Sequence, residues 1–364
     1  MAAQTGAPRR RQAPEAPAVG TELTSDAAAV GPAEAERIAR EVYGLCGRAE
    51  WLWGEKDSNY RLTLPDGTAR LLKILSPAED PSVTAMHARA LMHLEAADPG
   101  IPVQRVIRTR DGAPDRRIEV EAGGERTVRM VSFLEGVSQR GRPRSPAQRR
   151  EIGRLMGRMQ TALEGFEDPA LLHPIAWDMT HACGLRGKLD AVEDPARRAR
   201  LARILDDHEA TILPRLPELP AQAIHNDFNP NNILIHATDL DRVTGIIDFG
   251  DIVRAPALFD VAVAVCYQME ALDDPVPAAC EFLEGYAEHR TLSTLELSLL
   301  QAAVMTRIVL RVAIPAWRAR LLPDHRARLN ASLPTVWAQL DRLDQIPPDA
   351  MTDRFAAVFA GDRP

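Results

Sequence analysis

The chain has 364 residues, of which 45% are hydrophobic and 26% charged, and its formal charge is -7. This length suits two domains or one large bilobal domain with a full hydrophobic core. The acidic balance and the lack of a dense basic stripe argue against nucleic acid as the main partner and favour a small ligand.

The cysteines and the N-terminus exclude several further classes. The four cysteines are far apart and form no C-x-x-C pair, which argues against a zinc site and a disulfide framework and favours free thiols. The N-terminus has no apolar stretch typical of a secretory signal. From the sequence we expect no apolar run long enough to span a membrane. We therefore expect a cytoplasmic protein without a membrane partner.

The first third of the chain alternates between strand and helix patterns. Residues 1–32 are rich in Ala, Pro, Gly and Thr and are predicted to be a disordered arm. A short helix is predicted from residue 32 to 43, and a β-hairpin turns at "PDG", residues 65–67. A helix capped by Ser82 follows. Three more strands are predicted at residues 103–108, 117–122 and 127–134.

After Gly136 the sequence changes from mainly strand patterns to mainly helix patterns. Ser145 caps a helix with one apolar face, and the rest of the chain is mostly helical apart from "AIHNDFNPNNIL", residues 223–234, and the strand in "RVTGIID". We therefore predict an α+β fold. It has a β-rich N-terminal lobe over residues 33–132, a mostly helical C-terminal lobe over residues 133–346 and a tail over residues 347–364, with a hinge at residues 133–137.

The stretch at 223–234 holds four asparagines, a histidine and an aspartate, more polar groups than a simple turn needs. It contains His225-x-Asp227 and Asn232, and Asp248-Phe249-Gly250 begins sixteen residues after Asn232. Phosphoryl transfer needs a carboxylate that orients the attacking hydroxyl and accepts its proton. It also needs oxygen ligands that hold Mg²⁺ against the nucleotide phosphates. The pattern therefore predicts a phosphotransferase site.

His-x-Asp-x4-Asn followed by Asp-Phe-Gly resembles the catalytic core shared by protein kinases and by the aminoglycoside phosphotransferase and choline kinase families. The order of the surrounding blocks is similar to that of the hydroxylysine kinase-like branch: "GEKDSNYRL", "LLKILSP", "VRMVSFLEG", "WDM", "IHNDFNPNNIL", "GIIDFGDI", "DVAVAV" and "MTRIVLR". The resemblance implies a protein-kinase-like bilobal fold. It also implies that Asp227 is the catalytic base, Asn232 and Asp248 bind Mg²⁺, and His225 supports the loop.

The resemblance also implies a nucleotide site. Lys73 matches the lysine that contacts the α- and β-phosphates, and it is one of only three lysines in the chain. An ammonium among apolar neighbours costs several kcal/mol if it has no partner. The following helix offers Thr84, Ala85 and His87 where the family has a carboxylate, so the partner of Lys73 stays open.

Other nucleotide contacts are expected on both sides of Lys73. The resemblance places Ser58 and Asn59 in the loop that covers the phosphates. Ser132 and Leu134, in the strand that leads to the hinge, are expected to contact the base through main-chain groups, so ATP and GTP both remain candidate donors.

Candidate acceptor contacts are Asp251, which follows Asp-Phe-Gly directly, Asp178 next to Trp177, and Arg307 inside an apolar helix. Arg307 needs a carboxylate partner, from substrate or protein. An acceptor with an ammonium and a carboxylate would suit Asp251 together with Arg307.

We expect a small-molecule kinase that acts on a hydroxyl of an amine-bearing acceptor, with hydroxylysine first. The alternatives are an aminoglycoside or peptide-antibiotic phosphotransferase and a non-catalytic nucleotide-binding regulatory module. The module is disfavoured because Lys73, Asp227, Asn232 and Asp248 are all present. A protein kinase is disfavoured because only a short segment follows Asp-Phe-Gly, with no room for a peptide-binding activation segment.

Overall fold

The computed structural model describes residues 30–54, 57–121 and 123–360. Most of the predicted N-terminal arm therefore lies outside the described residues. Its last three residues do not: Val30 is buried, and its carbonyl accepts a hydrogen bond from the hydroxyl of Tyr60. The packed chain thus begins slightly earlier than the sequence pattern predicts.

The N-terminal lobe is an antiparallel sheet with two helical segments. The first is α1 (Pro32–Ile38), continued by a π-helical turn (Ala39–Tyr43), and the second is α2 (Pro81–Ala97). The strands are β1 (Arg48–Leu52), β2 (Ser58–Thr63), β3 (Ala69–Ile74), β4 (Val106–Ile107), β5 (Arg116–Glu119) and β6 (Glu125–Ser132). Their order is β1-β2-β3-β6-β4, with β5 also paired to β6. The β2–β3 hairpin places Lys73 opposite Asn59, and β6 places Arg129 on its other side.

The sequence pattern finds most of this sheet but misses its edge. β1 has no regular alternation, and Trp51 in it is 56% exposed, so a burial pattern does not identify the strand. The strand predicted at residues 103–108 shrinks to the two residues of β4. Strands with little periodicity form because they pair with other strands, which the local sequence pattern does not show.

The C-terminal lobe is mostly helical. Its α-helices are α3 (Pro146–Ala162), α4 (Pro195–Thr211), α5 (Ala257–Gln268), α6 (Val276–Tyr286), α7 (Thr294–Leu321), α8 (Arg326–Leu329), α9 (Leu333–Leu343) and α10 (Pro348–Ala360). Short 3₁₀ helices lie at Pro169–Leu172, Met179–Ala191, Leu213–Glu218, Phe249–Asp251 and Pro323–His325. The fold class predicted from the sequence is confirmed.

Two small antiparallel sheets form the floor of the cleft. Their strands are β7 (Val137–Ser138), β8 (Ala221–Ile224), β9 (Ile233–Ile235), β10 (Val243–Ile246) and β11 (Val253–Pro256). One sheet has the order β10-β9-β7, and the other pairs β11 with β8. The polar stretch singled out in the sequence joins β8 to β9, so each sheet fixes one end of it.

α7 is the central helix of this lobe. A capping box starts it, in which Ser293 and Glu296 bond each other's backbone amides. By length and composition α7 is apolar enough to cross a membrane, contrary to the expectation from the sequence. However, 78% of its apolar window is buried inside the protein, as in the core helix of a soluble protein.

The C-terminal tail predicted at residues 347–364 is largely a packed helix. α10 contacts α6 and α7, and its side chains Met351 and Phe355 are fully buried. Residues through 360 therefore contribute to the core of the helical lobe.

Candidate active site

The loop between β8 and β9 is held by a buried carboxylate. Asp260, in the first turn of α5, accepts hydrogen bonds from the backbone amides of His225 (2.9 Å) and Asn226 (2.7 Å). Burial raises the pKa of Asp260, while His225 and these amide donors act in the opposite direction. These contacts give Asp260 a structural role, because it fixes the loop to the first turn of α5.

His225 also holds the loop between β8 and β9 in place. Its Nε2 bonds the carbonyl of Ile247 (3.1 Å), its Nδ1 accepts from the amide of Asp227 (3.3 Å), and its ring packs edge-on against Phe228. The imidazole therefore donates from Nε2 and accepts at Nδ1. The fully buried ring links the loop to the residue before Asp248.

Asp227 collects hydrogen bonds from three side chains. Its Oδ2 accepts from Nδ2 of Asn229 (2.7 Å) and Nδ2 of Asn232 (2.9 Å). Its Oδ1 accepts from Nη2 of Arg307 (2.9 Å). The Asp227 side chain is still 24% exposed. A carboxylate fixed on several sides and open on one suits a group that orients an incoming hydroxyl.

Asn232 and Asp248 lie at one end of the β9–β10 hairpin. Asn232 precedes β9, Asp248 follows β10, and the amide of Ile247 bonds the carbonyl of Asn232 (2.9 Å). Because Nδ2 of Asn232 donates to Asp227, its Oδ1 remains as an oxygen ligand. An amide oxygen and a carboxylate are ligand types that suit a hard divalent cation that also binds phosphates.

The backbone at Asp248 is left-handed, with φ 65° and ψ 76°. Its side chain accepts from the amide of Gly250 (3.3 Å). Asp tolerates this conformation because its short polar side chain bonds locally. The turn brings the exposed carboxylate out of the strand at the cleft.

Lys73 finds its carboxylate partner in an unexpected place. Its Nζ lies 3.5 Å from Oδ2 of Asp57, just before β2, and Oδ1 of Asp57 accepts from the amide of Ser76 (2.9 Å). Burial alone lowers the pKa of Lys73, but the charges of Asp57 and Asp248 outweigh it and raise the pKa. Lys73 therefore stays a cation and interacts electrostatically with the expected metal ligand on the other lobe.

An arginine on the strand next to Lys73 makes the contact between the sheet and α2. Arg129, opposite Lys73 on β6, donates to the backbone carbonyl of Thr84 in α2 and to Asp115 (2.9 Å). It is 4% exposed. α2 is thus tied to the sheet through a main-chain carbonyl, which needs no acidic residue on the helix.

The other residues expected to contact the nucleotide make different contacts within the protein. Oγ of Ser58 accepts from the amide of Val30 (3.4 Å), and Oγ of Ser132 accepts from the amide of Arg105 (2.9 Å). Asn59 lies beside Gly54, where an added Cβ would be 2.2 Å from its Nδ2. Leu134 follows the end of β6 and packs against Gly245. Their nucleotide contacts stay predictions.

Of the residues expected around the acceptor, Arg307 contacts Asp227 directly. It also lies under the ring of Trp177, 4.8 Å from its centroid. Asp178 caps a 3₁₀ helix by accepting from the amide of Thr180 (2.8 Å). Asp251 ends the short 3₁₀ turn that follows Asp248. Contact of Asp178 and Asp251 with an acceptor stays a prediction, and Arg307 has its partner within the protein.

A β-rich lobe over a helical lobe, with this loop between them, defines a protein-kinase-like phosphotransferase fold. The profile of the phosphotransferase enzyme family matches residues 52–294, and the chain belongs to that family. The resemblance predicted from the sequence is confirmed, and the protein is an enzyme that transfers a phosphoryl group to a hydroxyl.

Individual relatives agree with this assignment. The chain is 25% identical to a hydroxylysine kinase of Mus musculus over 85% of its own length and 88% of the relative. It is 28% identical to a homoserine kinase of Rhizobium etli over 58% of its length and 61% of the relative. The solved structure of an amicoumacin kinase with AMP-PNP and Ca²⁺ superposes with a TM-score of 0.64 at 17% identity, covering 86% of this chain and 93% of that one.

Sequence reasoning missed two parts of the site. Nothing in the block that contains Asp57 predicts that this residue pairs with Lys73, and Arg129 belongs to no recognisable motif. Each is defined by a contact with a residue at least 14 positions away, such as Arg129 with Asp115. The only indication in the sequence is that α2 has no carboxylate where the family pattern has the partner of the lysine.

Proposed function

We propose that this protein is a small-molecule kinase that transfers the γ-phosphoryl group of ATP or GTP to a hydroxyl of an amine-bearing acceptor, with hydroxylysine as the first candidate. The observation that carries this proposal is the arrangement at Asp227. Its partly exposed carboxylate is bonded to Asn232, and Asn232 lies across a hairpin from Asp248. This arrangement supports a base and a pair of metal ligands at one cleft.

The residues divide the reaction between them. Asp227 orients the acceptor hydroxyl and takes its proton as the oxygen attacks the γ-phosphorus, and the bond from that phosphorus to the β,γ-bridging oxygen breaks to release ADP or GDP. Asn232 and Asp248 would hold Mg²⁺, which neutralises charge on the phosphates. Lys73 binds phosphate oxygens from the N-terminal lobe. Main-chain groups near Leu134 contact the base, and such contacts suit ATP and GTP alike.

The curated relatives support a small acceptor. Those described above are named for hydroxylysine and homoserine, both amino acids that bear a hydroxyl. A cavity of about 240 Å³ lies beside Gly250 and is lined by Glu79, Asp80 and His173. Its lining does not include Asp227, Asn232 or Asp248, so its volume does not define the acceptor site.

An antibiotic phosphotransferase is the second candidate, because the structural relative described above is an amicoumacin kinase. That likeness concerns the fold alone. An aminoglycoside is a polycation and would need several carboxylates at the site, whereas the curated relatives described above are named for single amino acids. We therefore rank it below the amino-acid kinase.

A panel of acceptors tests the choice. With Mg²⁺ and either ATP or GTP, we expect 5-hydroxylysine to give the highest kcat/KM among hydroxyl-bearing amino acids, amino alcohols and aminoglycosides. Lysine, which lacks only the hydroxyl, is the matched control and should yield no phosphorylated product. Highest turnover with an aminoglycoside would support the second candidate, and absence of transfer to every acceptor would contradict both.

Lys73→Ala tests the phosphate contact. We expect kcat/KM to fall about 10²- to 10³-fold, as for loss of one preorganised donor. Lys188→Ala is the control, because Lys188 packs over the ring of Trp317, 4.9 Å from its centroid, and should leave kcat/KM near the wild-type value. If both variants keep wild-type kinetics, Lys73 is only a structural cation.

A further inference from the structure

The hinge at residues 133–137 packs directly on the hairpin that carries the proposed metal ligands. β7 begins at the end of the hinge and pairs with β9, with Val137 opposite Ile235. β9 and β10 form the hairpin, and Asn232 and Asp248 lie at one end of it. The segment expected to contact the nucleotide base and the residues expected to hold the metal therefore belong to one packed unit.

A second set of backbone contacts joins the same hairpin to the start of the hinge. The amide of Ile246 in β10 donates to the carbonyl of Pro102 (2.8 Å), and Val103 forms a parallel bridge with Ile246. Two residues further along, the carbonyl of Arg105 accepts from the amide of Ser132 (2.8 Å), and the amide of Arg105 donates to the hydroxyl of Ser132 (2.9 Å). The hinge is therefore fixed to the hairpin at both of its ends.

The two backbones approach each other closely at Gly136. A Cβ added to Gly136 would overlap Oγ1 of Thr244, and it would lie 3.0 Å from the carbonyl oxygen of Ile235 and 3.1 Å from Cβ of Leu234. Nonbonded carbon atoms are in optimal contact at about 3.5–4.0 Å, so this position has no room for a side chain. The lack of a side chain at Gly136 allows the hinge to lie on the hairpin.

Thr244 lies at an irregularity of the hairpin. The register of β10 against β9 shifts between Val243 and Gly245, so Thr244 is the extra residue of a bulge, a feature that often redirects a side chain. Its Oγ1 is buried and makes no hydrogen bond within the described part of the chain. A buried hydroxyl without a partner does not stabilise the fold. The contact of Thr244 with the hinge is therefore steric.

We propose that Gly136 is a positioning residue for the nucleotide: it lets the hinge rest on Thr244 and so sets the distance between the base-binding main chain and the metal ligands. This inference rests on the proposed kinase function. One nucleoside triphosphate must reach both places at once, because its base binds near Leu134 and its phosphates bind the metal at Asn232 and Asp248. A hinge displaced from the hairpin changes that distance and weakens simultaneous binding at the two ends.

Gly136→Ala tests the proposal, because its methyl group pushes the hinge away from the hairpin. A misplacement of about 1 Å can cost about 10²-fold in rate, and we expect a fall of that order in kcat/KM for ATP. AMP reaches only the hinge, and tripolyphosphate with Mg²⁺ reaches only the metal site. Calorimetry should therefore give a Kd within about twofold of the wild type for each of these, but a Kd for AMP-PNP with Mg²⁺ raised about tenfold or more.

Two substitutions at Thr244 distinguish a steric contact from general damage. Thr244→Ala removes the hydroxyl that the added methyl group would overlap. The double variant Gly136→Ala/Thr244→Ala should therefore bind AMP-PNP about threefold or more tightly than Gly136→Ala, as expected of side chains in contact. Thr244→Val keeps the shape of threonine, so Gly136→Ala/Thr244→Val should remain as impaired as Gly136→Ala.

Gly141 supplies the matched control. It follows β7 and has a φ of 71°, but a Cβ added there meets no atom of the described residues within 4 Å. Gly141→Ala strains the backbone without a clash and should leave the Kd for AMP-PNP at the wild-type value. Thermal unfolding verifies that each variant is folded. If Gly136→Ala does not fold, Gly245→Ala replaces it, because a Cβ added there lies 2.9 Å from Cδ1 of Leu134 and pushes on the hinge from β10.

Three results would overturn the inference: an unchanged Kd for AMP-PNP in the folded variant, equal weakening of AMP and AMP-PNP, or equal recovery with Thr244→Val and Thr244→Ala. These binding measurements need no acceptor. A wild-type protein that binds AMP-PNP but transfers phosphate to no acceptor would instead contradict the proposed function alone, and one that does not bind AMP-PNP would contradict both. The two failures are therefore distinguishable.

Discussion

Asp227→Asn is expected to lower kcat about 10²- to 10⁴-fold, the usual contribution of a general base. The amide keeps the shape of the side chain and one acceptor oxygen, but it does not take up a proton. Nucleotide affinity should change little, because the proposed nucleotide contacts come from Lys73, the metal and the hinge. The measurement is steady-state kinetics together with titration of a fluorescent ATP analogue.

Asp227→Ala separates catalysis from stability. This substitution leaves the guanidinium of Arg307, 1% exposed, without its carboxylate, and breaking a buried pair in this way costs about 3–5 kcal/mol. The double variant Asp227→Ala/Arg307→Met removes both partners and should recover much of that stability but none of the activity. The free energies of unfolding of Asp227→Ala, Arg307→Met and the double variant, measured with denaturant, give the coupling energy between the two side chains.

Wild-type turnover in Asp227→Asn would remove Asp227 as the base, even if the protein remains a kinase. Equal stability of Asp227→Ala and the wild type would show that the ion pair with Arg307 is weak in solution. These two outcomes concern different claims, so one does not decide the other.

Asp248→Asn should impair the use of Mg²⁺. Asn tolerates the left-handed backbone found at this position (φ 65°), so the substitution removes charge without adding strain. Lewis-acid stabilisation by a metal contributes several kcal/mol, so we expect kcat/KM to fall about 10²- to 10³-fold at low Mg²⁺. Higher Mg²⁺ should restore part of the activity.

The control for Asp248 comes from the same hairpin. Asp239 is exposed in the connection between β9 and β10, at the end remote from Asn232. Asp239→Asn also removes one negative charge but should keep the wild-type dependence on Mg²⁺. If Asp248→Asn shows the same Mg²⁺ dependence as this control, Asp248 is not a metal ligand.

The sequence predicts those parts of the site that lie close together along the chain. Asp227 and Asn232 share one loop, and Asp248 follows after a single hairpin, so spacing alone indicates that they meet. The two-lobe fold is predictable for a similar reason, because hairpin and helix periodicities are local signals. These features are set by short-range geometry.

Contacts between distant segments are harder to predict. The bond from Arg307 to Asp227 joins residues 80 positions apart, and nothing in the apolar sequence of α7 indicates which carboxylate the arginine will meet. Asp57 likewise pairs with Lys73, where the family pattern has a carboxylate on the helix. Such partners depend on how elements pack in three dimensions, which periodicity does not encode.

The most direct test of the account is a crystal structure of the protein with Mg²⁺ and AMP-PNP. We expect a metal about 2.0–2.1 Å from Oδ1 of Asn232 and from the carboxylate of Asp248, bound also to phosphate oxygens. The carboxylate of Asp227 should face the γ-phosphate. A triphosphate bound with its metal on other residues, away from Asn232 and Asp248, would contradict the proposed site.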